Sequence, residues 1–196
     1  MKPVLVIYAT REGHTRHIAE HLAAALNAHQ RSCDLVDAAH VPEEFSVTKY
    51  CGAIVSASLH GGKHETEMVK FVKRHLAELQ QIPTVFLSVS LSEVTAEDEK
   101  ASPEKRAEAQ ADVKRTIESF LAETGWQPSH IAAVGGALMY SRYNFAIRFV
   151  MKLIARKAGA PVDTTRDYEF TDWTKLDRLV DEFIASTPTE IPATAC

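Results

Sequence analysis

The sequence predicts an α/β fold in which five parallel strands form one doubly wound sheet between layers of helices. Three observations lead there. Short apolar runs rich in β-branched or small residues recur along the chain, each of a length that suits a strand buried on both faces. Segments of helical period separate them, the alternation that builds a parallel sheet through right-handed crossovers. Several of the runs end in hydroxyl and glycine residues, and strand C-termini are where open parallel sheets bind ligands.

The first strand is expected over residues 4–8 and runs straight into Thr10, Arg11, Glu12, Gly13, His14 and Thr15. A helix follows over residues 15–28, with Ile18, Leu22, Ala25 and Leu26 on one face. A strand that turns through hydroxyls and a glycine into a helix N-terminus has the outline of a phosphate site. The first helical N–H groups have no intrahelical partner, and the dipole favours an anion. Gly13 permits close backbone approach, and Thr10 and Thr15 can donate hydroxyl bonds. A plain helix cap would use the same threonines. Neither G-x-G-x-x-G nor G-x-x-x-x-G-K-[ST] follows the strand, which argues against dinucleotide and nucleoside triphosphate sites. The run ends in Ala9-Thr10, without the acidic residues a phosphoacceptor domain would carry. His17 and His21 have an i, i+4 spacing that can hold zinc. They lack an H-E-x-x-H arrangement and a third ligand, so a solvated helix face is expected.

A short second strand is expected over residues 33–36, with a loop at 41–44. The third covers 51–58, ending in Ser58, and runs into Leu59, His60, Gly61, Gly62, Lys63 and His64. This second glycine-bearing loop reinforces the first. One helix should then bury Met68, Val69, Val72, Leu76 and Leu79. The fourth strand, 84–90, ends in Ser88, Val89 and Ser90. Residues 91–101, from Leu91 onward, are polar and read as an exposed loop. Ser102-Pro103 starts a helix, a capping hydroxyl with proline at the first helical position. That helix turns Val113, Ile117, Phe120 and Leu121 inward and stops at Gly125. The fifth strand is expected over 131–138. The last helix starts near Thr171-Asp172 and buries Leu176, Leu179, Val180, Phe183 and Ile184.

Residues 139–170 intervene before that last helix. They open with Tyr140, Ser141, Arg142 and Tyr143, followed by a helix over about 144–158. Arg148, Lys152 and Arg156 stand at i, i+4, i+8 and form a basic stripe. Ile147, Phe149, Val150, Met151, Leu153 and Ile154 fill most of the remaining circumference. One reading is a helix laid on the sheet with its cations solvated. The other is a helix at an anionic membrane surface, or one forming a wall for an apolar, acidic ligand.

Length and composition set the bounds. With 196 residues, 45% hydrophobic and 24% charged, the chain suits one ordinary globular domain. That domain is expected over residues 1–185, insertion included, with 186–196 as a flexible tail. A formal net charge of −4 implies no nucleic-acid partner. Cys33, Cys51 and Cys196 form no paired framework or metal spacing, so a reducing compartment is expected. The first strand begins at once, so no signal peptide is expected. No apolar stretch approaches the roughly 20 residues a membrane-spanning helix needs.

The strand–Thr10-Arg11-Glu12-Gly13-His14-Thr15–helix opening resembles the flavodoxins. That resemblance implies a three-layer, flavodoxin-like sheet of strand order 2-1-3-4-5, here with an extra helical insertion before the last helix. A narrower resemblance rests on residues 136–143, the basic helix with Arg148-Phe149 and Met151-Lys152-Leu153-Ile154, Asp163-Thr164-Thr165-Arg166, Tyr168 and Thr171-Asp172-Trp173. These are similar to the flavodoxin-type, quinone-dependent protoporphyrinogen IX dehydrogenases of bacterial haem synthesis, over residues 1–185.

The resemblance implies non-covalent FMN, a tetrapyrrole substrate, a membrane quinone as acceptor, and a cytoplasmic protein peripheral at the inner face of the cell membrane. It assigns Thr10, Arg11, Glu12, Gly13, His14 and Thr15 to the flavin phosphate. Ser58, Leu59, His60, Gly61, Gly62, Ser88, Val89, Ser90 and Leu91 then lie beside the ring. The second loop usually carries an aromatic residue against the flavin. Here it reads Leu59-His60-Gly61-Gly62, leaving His60 or Tyr140 to supply that surface. Tyr140, Arg142, Tyr143, Arg148, Lys152 and Arg156 are candidates for substrate or membrane contact. No catalytic side chain and no metal site is assigned. Rival readings are a flavodoxin-type electron carrier, which usually docks through an acidic rim, and an FMN-dependent quinone reductase.

Overall fold

Strand β1 (Val4–Ala9) is buried at every position, as a β-branched run must be when helices cover both faces of its sheet. The computed structural model describes residues 2–158 and 162–187. In chain order β1 is followed by α1 (His14–Ala28), β2 (Cys33–Asp37), β3 (Gly52–His60) and β4 (Lys63–His64). Next come α2 (Thr66–Arg74), α3 (Leu76–Leu79), β5 (Thr84–Ser90), α4 (Leu91–Glu97), α5 (Pro103–Thr124) and β6 (His130–Gly135). The chain continues through β7 (Ala137–Leu138), α6 (Phe145–Ala158), β8 (Tyr168–Glu169) and α7 (Trp173–Ser186).

The main sheet has the order β2-β1-β3-β5-β6, all parallel, with β4 paired antiparallel to the end of β3. Without that short hairpin strand this is the expected 2-1-3-4-5 order. Period-2 alternation sorts the side chains onto two cores. Val4, Val6 and Tyr8 join Ile18, Leu22 and Leu26 of α1 and Leu176, Val180 and Phe183 of α7 on one face. Leu5, Ile7 and Ala9 join Met68, Val72, Phe86, Phe120 and Trp126 on the other. Phe86 stacks on Phe120 at 4.4 Å between ring centres. Parallel strands bring the C-terminal ends of β1, β3, β5 and β6 to one edge, and the candidate site lies along that edge.

The structure corrects four sequence expectations. Residues 91–101 are not simply an exposed loop: 91–97 form α4. Ser90 caps it by accepting from the Glu93 N–H at 3.2 Å, and Glu93 and Ala96 are buried. Ser90-Leu91-Ser92-Glu93 is a capping-box pattern that marks the start. The single helix expected to carry Met68, Val69, Val72, Leu76 and Leu79 breaks at His75 into α2 and α3. The fifth strand leaves the sheet after Gly135. Ala137 and Leu138 pair instead with Glu169 and Tyr168. A Cβ at Gly135 would lie 2.7 Å from the Phe170 carbonyl oxygen, so only glycine lets the return strand cross there. Finally, α7 runs through Ser186, and Thr187 is buried, its carbonyl accepting from Arg31 at 3.1 Å. The rest of the tail expected over 186–196, from 188 onward and Cys196 included, lies outside the described residues.

The insertion builds a third, small core from Leu138, Tyr140, Tyr143 and Ala155. The rest of α6 is not laid flat on the sheet. Phe145 is 88% exposed, Phe149 60%, Leu153 52% and Val150 51%.

Candidate FMN site

The loop between β1 and α1 is held by its own residues. The Gly13 N–H donates to Thr10 Oγ1 at 3.0 Å, which leaves the Thr10 hydroxyl proton to point elsewhere. Gly13 takes φ +88°, a left-handed conformation that a β-branched residue resists. No side chain caps α1. By contrast, α4, α5 and α7 are capped by Ser90, Ser102 and Asp172. Unlike these three, α1 keeps its first N–H groups free of any side-chain cap and so available to an anion.

Arg11 turns away from the site and pairs with the buried Glu65 at 3.1 Å. The Ser58 hydroxyl also lies within reach of Glu65, at 3.4 Å, so Glu65 ties the first loop to the second. The second loop is a β-hairpin tip. Leu59 pairs with His64 and His60 with Lys63, and Gly61 and Gly62 take φ +58° and +79°. Positive φ at both central residues is what a two-residue type I′ hairpin demands. Those glycines are thus explained by the turn, and Gly-Gly at this spacing was a readable hairpin signal.

A cleft of about 480 Å³ joins the three strand ends to the insertion. Thr10, Glu12, His14 and Thr15 line it from the first loop, Ser58 to Gly62 from the second, and Val89, Ser90 and Leu91 from the third. Tyr143 lines it as well. Ser92, Asp112, Gly136 and Ala137, which the sequence reading missed, complete the wall together with Ile147, Val150 and Met151 from the apolar arc of the insertion helix. Asp112 sits mid-helix in α5 and accepts from the Ser92 hydroxyl at 2.7 Å, an acid that no local motif announces.

Other sequence-selected residues lie elsewhere. Tyr140 is fully buried inside the insertion, edge-on to Tyr143 and Tyr168, and does not line the cleft. The Ser88 hydroxyl is taken by His64 at 2.9 Å. Arg148 bends back to the Tyr143 carbonyl at 3.3 Å, whereas Lys152 and Arg156 are exposed. Arg142 donates to the Glu12 carbonyl at 2.7 Å. His21 bonds Asp177 at 2.7 Å and packs against Trp173.

Electrostatics follow from burial. Burial pushes the Glu12 carboxyl above its ordinary range, opposed by His60, whose Nδ1 lies 3.8 Å away. Burial raises the Tyr143 phenol to about 12, so it stays a neutral hydrogen-bonding ring. Burial lowers His14. Thr171 gives its only hydroxyl proton to the Gly135 carbonyl at 2.8 Å, so His14 Nε2, 2.7 Å away, must be the donor to Thr171. His14 Nδ1 is left buried without a hydrogen-bond partner, 3.9 Å from the Glu169 carboxylate.

These residues fit FMN. The uncapped helix and the Thr10 and Thr15 hydroxyls suit its phosphate. The cleft between Leu59–Gly62, Val89–Leu91 and Tyr143 suits a flat ring. Among the described residues no group of His, Cys, Asp and Glu could hold a metal ion.

Comparison with known proteins agrees. Residues 5–165 match the family model described as a flavodoxin domain. Protoporphyrinogen IX dehydrogenase [quinone] of Escherichia coli (strain K12) is 32% identical over 178 residues, 91% of this chain and 92% of that protein. The protein of the same name from Leishmania major is 29% identical over 96% of this chain and 77% of its own length. Oxidised flavodoxin 1 from Bacillus cereus superposes with a TM-score of 0.53 at 15% identity, covering 95% of this chain and 99% of its own. The last similarity shows the fold, and the first three show descent: the chain belongs to the flavodoxin-domain family.

Proposed function

We propose that this protein is an FMN-dependent oxidoreductase that oxidises protoporphyrinogen IX to protoporphyrin IX and passes the electrons to a quinone. The observation that carries this reading is the composite cleft. Its floor is the flavin-binding edge of the sheet, and its outer wall is the apolar side of α6, with Ile147, Val150 and Met151. A flavin site with an added apolar wall suits a large flat hydrophobic substrate. The similarity to two proteins named for this reaction supports the same choice.

The bound flavin would supply the hydride acceptor and the route to the quinone. The chain supplies position and proton handling. Thr10, Thr15 and the first turn of α1 hold the phosphate. Leu59, Val89, Leu91 and Tyr143 enclose the ring. Dehydrogenation releases a proton, and the cleft offers Glu12 to accept it, with His60 beside it as the way out to solvent. Gly61 and Gly62 have open space around them, so one side of the cleft mouth stays free for a macrocycle.

Among the described residues no helix is long and apolar enough to cross a membrane. The exposed Phe145, Phe149 and Leu153, with Lys152 and Arg156 nearby, support peripheral contact with an anionic bilayer at its cytoplasmic face. Each cation near such a surface contributes about 1 kcal/mol. Reversing Lys152 and Arg156 to Glu should weaken co-sedimentation with anionic vesicles and leave the melting temperature unchanged. Unaltered co-sedimentation would remove the membrane from this account.

The function is tested anaerobically with FMN-loaded protein, protoporphyrinogen IX and a menaquinone analogue. Flavin bleaching by the porphyrinogen, with turnover to porphyrin only when quinone is present, is the expected result. A flavin that ignores the porphyrinogen contradicts the proposal and leaves a carrier or a quinone reductase.

A further inference from the structure

We propose that Arg142, from the insertion, is part of the FMN phosphate site: it clamps the phosphate loop from outside and supplies the positive charge that the loop itself lacks. Three observations carry this.

The first is contact. Arg142 Nη1 donates to the Glu12 carbonyl at 2.7 Å across 130 residues of sequence. The same guanidinium lies against Gly13, where a Cβ would collide with it. It therefore packs on the residue whose left-handed conformation shapes the loop.

The second is charge. The loop carries its own acid, Glu12, which opposes a phosphate dianion. Arg11 cannot compensate, because Glu65 neutralises it at 3.1 Å. Arg142 has no acidic partner among the described residues, so its charge is available to an anion held by the loop.

The third is support. The turn that carries Arg142 is pinned from the other side: Asp167 accepts from the Ser141 N–H at 2.8 Å and from its hydroxyl at 2.5 Å. The next residue, Tyr143, lines the cleft. One anchored turn thus delivers a cation to the phosphate loop and a ring to the flavin pocket. Phosphate binding and the position of the insertion are then linked, each favouring the other.

This inference rests on the FMN reading and is independent of the identity of the substrate. It is tested by binding FMN and riboflavin, which differ only in the phosphate, to the parent protein, Arg142→Gln and Arg142→Lys, by flavin fluorescence quenching at low and high salt. The parent should prefer FMN, with an affinity that falls as salt rises. Arg142→Gln should weaken FMN about 10-fold or more, leave riboflavin within about 2-fold, and flatten the salt dependence. Arg142→Lys, which keeps the charge without the planar fork, should fall between. Far-UV circular dichroism checks that the variants fold. Equal losses for both flavins, or no loss for either, would overturn the role of Arg142 and leave the cofactor assignment standing. A parent protein that binds neither flavin would overturn both.

Discussion

The sheet body and the insertion solve opposite problems with similar residues. In the body, β1 is buried throughout and apolar side chains close two cores on opposite faces of the sheet. In the insertion, four residues make a small core while Phe145, Phe149, Val150 and Leu153 of α6 remain exposed. A chain able to bury so much elsewhere gains no stability from that exposed face. Exposed apolar surface of this kind marks an interaction or ligand site. Under the proposed function the contrast separates roles: the body sets stability and carries the cofactor loops, and α6 of the insertion faces what the cofactor acts on.

The sharpest way to break this comparison is to truncate one aromatic ring in each region. Phe86→Ala removes a fully buried ring between Phe120, Trp126 and His64 and should cost about 3–5 kcal/mol in denaturant unfolding. Phe149→Ala, 60% exposed, should stay within about 0.5 kcal/mol. Similar costs for the two would mean that α6 is packed like the body.

A smaller effect is expected at the loop that joins the two regions. Gly13→Val forces a β-branched residue to φ +88° and displaces the Arg142 guanidinium. Strain of this kind, about 1–3 kcal/mol, translates into an FMN affinity about 5- to 150-fold weaker in fluorescence titration, with the melting temperature of the body little changed. Undiminished flavin binding would refute the phosphate-loop assignment.

The most gradual effect is a pH slope that belongs to the body alone. Burial beside Phe86 and Phe120 lowers His64 from 6.5 to about 4. Between those values the unfolded chain takes up a proton that the folded chain refuses, so stability falls as pH drops from 6.5 towards 4. The loss approaches about 3 kcal/mol at the acid end and is about 2 kcal/mol near pH 5. His14, also lowered by burial, adds in the same direction. His64→Leu should flatten the slope in urea melts at pH 7, 6 and 5. An unchanged slope would mean that His64 titrates normally.

The same division explains how much could be read from the sequence. The body was legible because its strands are continuous apolar runs and its helices have one buried stripe. The strand, turn and helix N-terminus around Thr10, Gly13 and Thr15 were legible because all three are local. The start of α4 was obscured by the acidic run Glu97-Asp98-Glu99, although Ser90 and Glu93 carried its cap. Gly61 and Gly62, read as a ligand loop, line the cleft, and the hairpin that their positive φ serves was not read. Asp112 and Gly136 reach the cleft only through tertiary packing. The orientation of α6 was not legible, since a helix apolar around most of its circumference does not declare which side is buried.

The central claim is that the body holds the flavin and α6 presents the substrate to it. It is tested most directly by stopped-flow bleaching of bound FMN with protoporphyrinogen IX in the parent protein and in Val150→Glu, a change on the cleft wall of α6. The account predicts FMN affinity within about 2-fold of the parent and bleaching slowed about 10-fold or more, because a carboxylate on an apolar wall penalises a hydrophobic ligand by over about 1.4 kcal/mol. Bleaching at the parental rate would contradict it.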